Sequence, residues 1–425
     1  MIAAATGEAT EVDHSSRRGR MLSFFVVGAL MATGLVAITS TVLEQPRLSL
    51  GEVVCLLVLS VGALILAYVQ AVQRAWRLDL RTYAFEWFSV VTMTFAVGTF
   101  LTVLLSGVEL APAHLGLGYA VCLGWAYIGQ RMVMKYELPE VALVPGGRIS
   151  EVAGLPSVVC RLMTAPGPVH GRVVVVDLQH RLPGEWVNFL AECQLRGVPV
   201  LHAGAVYERL TGRSSVRYLR DAVFDSIQAP RIAAMLKRVG EVAVITALLP
   251  LVVPLMATTA IAIRLSSPGP VLFWQERVGL AGRPFRLVKF RSMRLGAEGE
   301  GAKFATAQDS RVTSIGRFLR KFRIDELPQL YNVIRGEMSL IGPRPEQVPF
   351  VKHFTGVVPF YAFRHTVRPG LTGWAQVRFG YAGSDAEVLT KLEYDLFYVK
   401  NLSIWLDAYI VALTIRTIFT GFGSR

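Results

Sequence analysis

The sequence predicts a membrane α-helical bundle of four spans, then a small α/β domain, then a second α/β domain entered through a re-entrant membrane helix. Three observations carry that expectation. Hydrophobic residues make up 52% of the 425 positions, more than a soluble globular chain of this length carries. The apolar residues are gathered into four runs before residue 131 and a fifth near residue 250. The intervening segments alternate short apolar strands with helical patterning, and the length suits two or three domains.

The four runs are residues 21–43, 53–72, 88–107 and 115–130, each near the 20 or so residues that cross a bilayer. Arg17, Arg18 and Arg20 precede the first, Arg74, Arg77 and Arg81 separate the second from the third, and Arg131 and Lys135 follow the fourth. The other two loops hold Arg47 with two glutamates, and Glu109 with His114. Lysine and arginine stay on the cytoplasmic side, so the N-terminus, the second loop and everything beyond Lys135 are expected there. A buried soluble bundle is the alternative, and the charge asymmetry argues against it. The net charge of +13 suits anionic lipid; nucleic acid is not expected, because no recognition motif accompanies the charge. Cys55, Cys122, Cys160 and Cys193 form no CxxC pair and the seven histidines no HExxH, which argues against a disulfide framework or a zinc site. The first twenty residues are polar and the run at 21–43 lacks a cleavage pattern, so a signal peptide is not expected.

Residues 137–220 are expected to form a small cytoplasmic Rossmann-like α/β domain. VALVPGG, RVVVVDL and VPVLHAG read as buried strands, with a helix over PGEWVNFLAECQLRG between the last two. The VPGGR turn is either an ordinary tight turn or a phosphate-facing one, and it is not GxGxxG. The domain is assigned no catalytic role. Residues 221–230 read as a linker, and residues 231–425 as the catalytic domain.

The fifth run, 242–263, has basic residues at both ends: Lys237 and Arg238 before it, Arg264 after it. Pro250 and Pro254 sit inside it, and proline removes a helical donor and clashes with the preceding turn, so a kink or break is expected. A straight crossing would place the basic region after Arg264 outside the cell, against the charge rule. A helix that enters, bends at Pro254 and returns to the same face satisfies both facts. Residues 296–309 read as a loop. Residues 401–422 have apolar residues at helical spacing, and either lie in the headgroup region or pack on a soluble core.

The strongest chemical signal is RIDELPQLYNVIRGEMSLIGPRP, residues 323–345. Asp325 and Glu326 lie between a basic cluster (Arg317, Arg320, Lys321, Arg323) and a Gly-Pro-Arg-Pro turn carrying Arg344. An ionised aspartate can attack phosphorus without a general base. A neighbouring glutamate can hold Mg²⁺, which prefers carboxylate and phosphate oxygens, and arginine forks match phosphate. Taken alone, the pair also reads as a helix N-cap ahead of Pro328. The two roles are compatible, since a helix N-terminus attracts phosphate.

Six ordered blocks resemble the bacterial sugar transferase family, the polyprenyl-phosphate hexose-1-phosphate transferases. They are Lys237–Arg238 with the proline-broken run, SPGPVLFWQERVG, FRLVKFRSM, DELPQLYNVIRGEMSLIGPRP, RPGLTGWAQV and LEYDLFYVKNLS. The similarity covers residues 231–425, and the four spans plus a small α/β domain resemble the larger members. The resemblance implies that Asp325 is the nucleophile that takes sugar phosphate from a UDP-sugar and releases UMP. It implies that Glu326 is the Mg²⁺ ligand, that Lys289, Arg320, Arg344 and Arg368 lie near the phosphates, and that Pro254 breaks the re-entrant helix. Undecaprenyl phosphate in the bacterial inner membrane would then accept the sugar phosphate, the initiating step of exopolysaccharide or O-antigen synthesis. One departure is Val253, where some relatives have serine, so Thr258 or water is expected to satisfy the carbonyl freed at the break. The alternatives are a membrane glycosyltransferase releasing UDP and a non-catalytic scaffold of a polysaccharide assembly complex. Glucose or galactose is the expected sugar, with N-acetylated sugars open, as is a homodimer.

Overall fold

The computed structural model describes residues 27, 50–77, 91–94, 96–97, 112–136, 140–156, 158–169, 173–218, 231–294, 311–380 and 385–420. The chain divides into two compact units, Met1–Leu210 and Thr211–Arg425.

In the first unit, helices Leu50–Arg77 and Pro112–Tyr136 cover the second and fourth apolar runs. They pack through small residues, Ala63, Ala67, Cys122 and Ala126, with Leu59, Leu64 and Val91. Small side chains at the contact let two helices approach closely. The run at 21–43 lies outside the described residues except residue 27, as does the run at 88–107 except residues 91–94 and 96–97.

The same unit holds a four-stranded parallel sheet in the order β2-β1-β3-β4, from Glu140–Leu143 (β1), Val159–Leu162 (β2), Val173–Val176 (β3) and Val200–His202 (β4). All four valines of β3 are buried. Helix Gly184–Leu195 covers the sheet with Trp186, Phe189, Leu190 and Cys193. Edge strand β2, VCRL, has no buried residue, and so gave no apolar run to read. The VPGGR turn is closed from within. Asp177 accepts the Arg148 amide at 2.9 Å, and a Cβ on Gly147 would lie 2.3 Å from the Asp177 carboxylate.

The second unit starts earlier than residue 221. The 3₁₀ turn Val216–Tyr218 packs through Val216 on Phe354, Tyr361 and Leu392, and Gly212 accepts the Trp374 indole N–H at 2.8 Å. Helix Arg231–Ser266 runs without interruption through Pro250 and Pro254. Within Ala234–Ser266 an 18-residue window has a mean hydropathy of 2.2, and among the described residues this helix alone is long and apolar enough to cross a membrane. Both of its ends are fixed to this unit. Near the start, Lys237 reaches the Ile341 carbonyl at 3.0 Å and Asp407 at 2.8 Å, and Ile245 packs with Leu287, Val333 and Met338. Near the end, Ile263 packs with Phe290 and Leu319. Between them Leu251, Val253 and Leu255 are exposed. The Thr258 expectation is corrected: its hydroxyl donates to Leu255 O at 3.0 Å. It does not reach Pro250 O, the carbonyl that lacks a donor because Pro254 has no N–H.

An antiparallel hairpin follows, Leu272–Val278 (β5) with Pro284–Phe290 (β6). The short strands Ser339–Ile341 (β7) and Gly370–Thr372 (β8) pair in parallel. A Cβ on Gly370 would lie 2.1 Å from the Gly342 nitrogen, so only glycine lets these backbones meet. The last helix, Ile404–Thr420, buries Leu406 and Ile410 against Trp374 and Tyr398 while Ile404, Val411 and Ile415 stay exposed. It therefore packs on the core and keeps an apolar outer face. The loop expected at 296–309 lies outside the described residues.

Candidate active site

Two helical pieces meet at the acidic pair. Helix Ser314–Lys321 starts at Thr313, whose hydroxyl accepts the Gly316 amide at 3.0 Å, and carries Arg320 in its last turn. The chain reverses at Arg323, a non-glycine residue in the left-handed region with φ 55°. Such strain persists only where the surroundings impose it. The 3₁₀ turn Ile324–Gln329 follows and runs into helix Leu330–Arg335, ended by Gly336 with φ 82°. Arg323 takes the cap position, so Asp325 and Glu326 lie inside the first turn and the N-cap reading of Asp325 is not the observed geometry.

Both carboxylates are buried, at 8% and 9% exposure, but they are held differently. Glu326 accepts Arg344 Nη2 at 2.9 Å and Arg323 Nη1 at 3.4 Å. Burial works against its charged form, yet Arg344 and Arg323 outweigh that and hold it below the usual carboxylate range. Asp325 has no hydrogen bond to its oxygens among the described residues. Burial, then the neighbouring Glu326 charge, push it up to about 6, against the pull of Lys289, Arg320 and Arg344. The pair thus supplies one carboxylate locked by two guanidinium groups and one without such a hold, within the field of three cations. Among the described residues no third histidine, cysteine, aspartate or glutamate joins them as a metal cluster. That donor set fits Mg²⁺, which fills its shell from one or two carboxylates, substrate phosphates and water.

Residues 232–421 match the family described as bacterial sugar transferase. Over 310 residues the chain is 46% identical to the UDP-N-acetylgalactosamine-undecaprenyl-phosphate N-acetylgalactosaminephosphotransferase of Aeromonas hydrophila, covering 72% of this chain and 73% of that one. The chain belongs to the bacterial sugar transferase family. Two further relatives of this transferase are named UDP-glucose:undecaprenyl-phosphate glucose-1-phosphate transferase. The Escherichia coli protein is 42% identical over 195 residues, 45% of this chain and 41% of that one. The Caulobacter vibrioides protein is 44% identical over 194 residues, 45% and 73%.

Of the basic residues expected at the transferase site, Lys289, Arg320 and Arg344 act on Asp325. Arg368 makes a structural contact: its Nε donates to Gly336 O at 3.0 Å. There it closes the C-terminus of helix Leu330–Arg335, as Arg238 does at Ile334 O, 2.7 Å. Sequence reasoning missed Asn332, which is fully buried. It donates to Arg286 O at 2.8 Å and Glu337 at 2.7 Å, and accepts the Val288 amide at 3.1 Å. It joins the acidic helix to β6, the strand carrying Lys289. Its signal was a lone amide in the otherwise apolar stretch LYNVI. Also missed was the charged cluster behind Arg344: Arg277, Glu346, Arg364, Lys391 and Asp395. Lys391 donates to Glu346 at 2.6 Å and Arg364 pairs with Asp395 at 2.8 Å.

Proposed function

We propose that the protein transfers a hexose-1-phosphate from a UDP-sugar to undecaprenyl phosphate through a covalent aspartyl intermediate. An Asp325 oxygen attacks the phosphorus that bears the sugar. The bond from that phosphorus to the bridging oxygen breaks, and UMP leaves with the electron pair. An oxygen of undecaprenyl phosphate then attacks the aspartyl phosphorus, the carboxylate departs, and the lipid-linked diphosphate sugar is formed. The observation that carries this reading is the asymmetry of the buried pair: Glu326 is fixed by two guanidinium groups while, among the described residues, the Asp325 carboxylate has no hydrogen-bond partner. Lys289, Arg320 and Arg344 would stabilise the transferring phosphoryl charge, and Arg368 would act from the far end of the acidic helix. Mg²⁺ held by Glu326 would neutralise the pyrophosphate when bound.

The membrane reading includes four N-terminal spans, a Rossmann-like domain on the cytoplasmic side, and a re-entrant helix at the inner leaflet. The exposed middle of helix Arg231–Ser266 supports membrane insertion. The packing of both its ends on one unit supports the return course. Ile245 and Ile263 would lie about 27 Å apart on a straight helix. Their partners Leu287 and Phe290 are three residues apart on one strand, about 10 Å. A helix leaving through the far leaflet would carry Ile263 away from that strand.

The test is donor cleavage by membranes given undecaprenyl phosphate and either UDP-N-acetylgalactosamine or UDP-glucose, the donors in the names of the relatives. UMP should appear with at least one donor, and Asp325→Asn should lower the rate by roughly 10³-fold or more. Release of UDP would mean a glycosyltransferase. Unchanged polysaccharide output with Asp325→Asn would mean a scaffold.

A further inference from the structure

The turn carrying Arg344 is held at each of four successive carbonyls by a donor from another element. Pro343 O accepts the Gly370 amide at 2.9 Å and Glu346 O the Val278 amide at 3.0 Å. Between them, Arg344 O accepts Arg364 Nη2 at 2.9 Å, and Pro345 O accepts Arg277 Nη1 at 3.0 Å. Two prolines flank Arg344 and fix the backbone on either side. The guanidinium of Arg364 is 2% exposed. It also donates from Nη1 to the Tyr361 hydroxyl at 2.8 Å and pairs with Asp395 at 2.8 Å. Burying a whole ion pair is costly, and an apolar pair often serves stability as well. Amides already hold the two outer carbonyls, Pro343 O and Glu346 O. What the planar fork adds is direction: it joins a hydroxyl, a carboxylate and a backbone carbonyl in one fixed geometry.

We propose that Arg364 is a positioning residue for the transfer. Through the Arg344 carbonyl it sets where the Arg344 guanidinium meets Glu326, and so orients the acidic pair towards the donor phosphates. Asp395 and Tyr361 hold Arg364, and Arg277 performs the matching task at Pro345. The inference rests on the transferase reading above.

The test is steady-state donor cleavage by full-length protein in nanodiscs, with UDP-N-acetylgalactosamine and UDP-glucose as probes and rates normalised to folded protein. Arg364→Lys keeps the charge opposite Asp395 but cannot serve all three partners. Its kcat should fall by about 10²-fold, the scale of an ångström misplacement, while donor KM changes less than about threefold. Tyr361→Phe removes one hold on Arg364 and should give a smaller fall in kcat with the same KM. A wild-type kcat in Arg364→Lys, or a raised KM with kcat intact, would overturn the positioning role. If Arg364→Lys does not fold, Tyr361→Phe decides alone, and an unchanged kcat there refutes the proposal. An active Asp325→Asn enzyme would instead overturn the covalent mechanism, so the two failures are told apart.

Discussion

Replacing Asp325 by asparagine should stabilise the protein while it abolishes turnover. The carboxyl rises from its ordinary value of 3.8 to about 6 because it is buried and lies beside Glu326. At ~1.4 kcal/mol per pH unit, that rise amounts to about 3 kcal/mol of disfavoured native state once the group is charged. The sign follows from the two states. At about pH 3, below the unfolded value, the group is largely neutral whether folded or unfolded, and little is lost. As pH rises from about 4 to about 6 the unfolded group gives up its proton while the folded one keeps it, so stability falls; above that both are charged and the loss is constant. Asparagine is neutral throughout and has nearly the same shape. Its advantage should therefore be nearly absent at about pH 3 and reach about 3 kcal/mol above about pH 7. For a unit of this size that is a rise of about 6–12 °C in the unfolding midpoint. The assay is thermal unfolding of wild type and Asp325→Asn between about pH 3 and pH 8, with chelator and without donor, so that no cation or phosphate relieves the repulsion. A variant that is less stable than wild type at pH 7.5, or whose advantage does not change with pH, would refute the reasoning. It would mean that the carboxylate is compensated by its three cations and stores no strain for the reaction.

Asn332→Leu removes three hydrogen bonds and leaves the Val288 amide buried without its Asn332 partner. The expected cost is about 3–5 kcal/mol, read as a lower unfolding midpoint, with donor cleavage lost because Lys289 no longer registers on the acidic helix. Gly370→Ala would place a methyl group 2.5 Å from the Thr372 carbonyl as well as on Gly342, so the β7–β8 pairing should fail and limited proteolysis should cut within the second unit. Glu346 behaves oppositely to Asp325. Burial opposes its charge, but Lys391, Arg364 and Arg277 hold it down at about 2. Its contribution, roughly 3 kcal/mol, is present above about pH 4.5 and lost as pH falls towards 2. Glu346→Gln should therefore destabilise the protein at pH 7 and make little difference in acid; an equal penalty at both pH values would count against the ion cluster.

Several features were legible because they are written locally. Strand β3 is a run of valines bounded by charge, and helix Gly184–Leu195 carries apolar residues at helical spacing. The acidic pair announced itself through adjacency and the basic residues around it. Edge strand β2 was not legible, since none of its side chains is buried and periodicity reports burial. Thr258 was misjudged because its hydroxyl has a nearer acceptor one turn back. The resemblance alone implied a place near the phosphates for Arg368; that its Nε binds the end of a helix 32 positions earlier has no local signal.

Residue order alone determined the adjacent carboxylates, the cations near them in the chain and the long apolar run, because these depend on which side chains occur and how closely they follow one another. It left undecided which carboxylate is held by guanidinium groups and which is not. That depends on Arg323 and Arg344 converging on Glu326 from opposite directions along the chain. It left undecided, too, that Arg364 and Asp395, distant in sequence, would support the turn that carries Arg344. Hydrogen bonds between remote segments have no local pattern; they arise only when packing brings a buried donor to a buried acceptor.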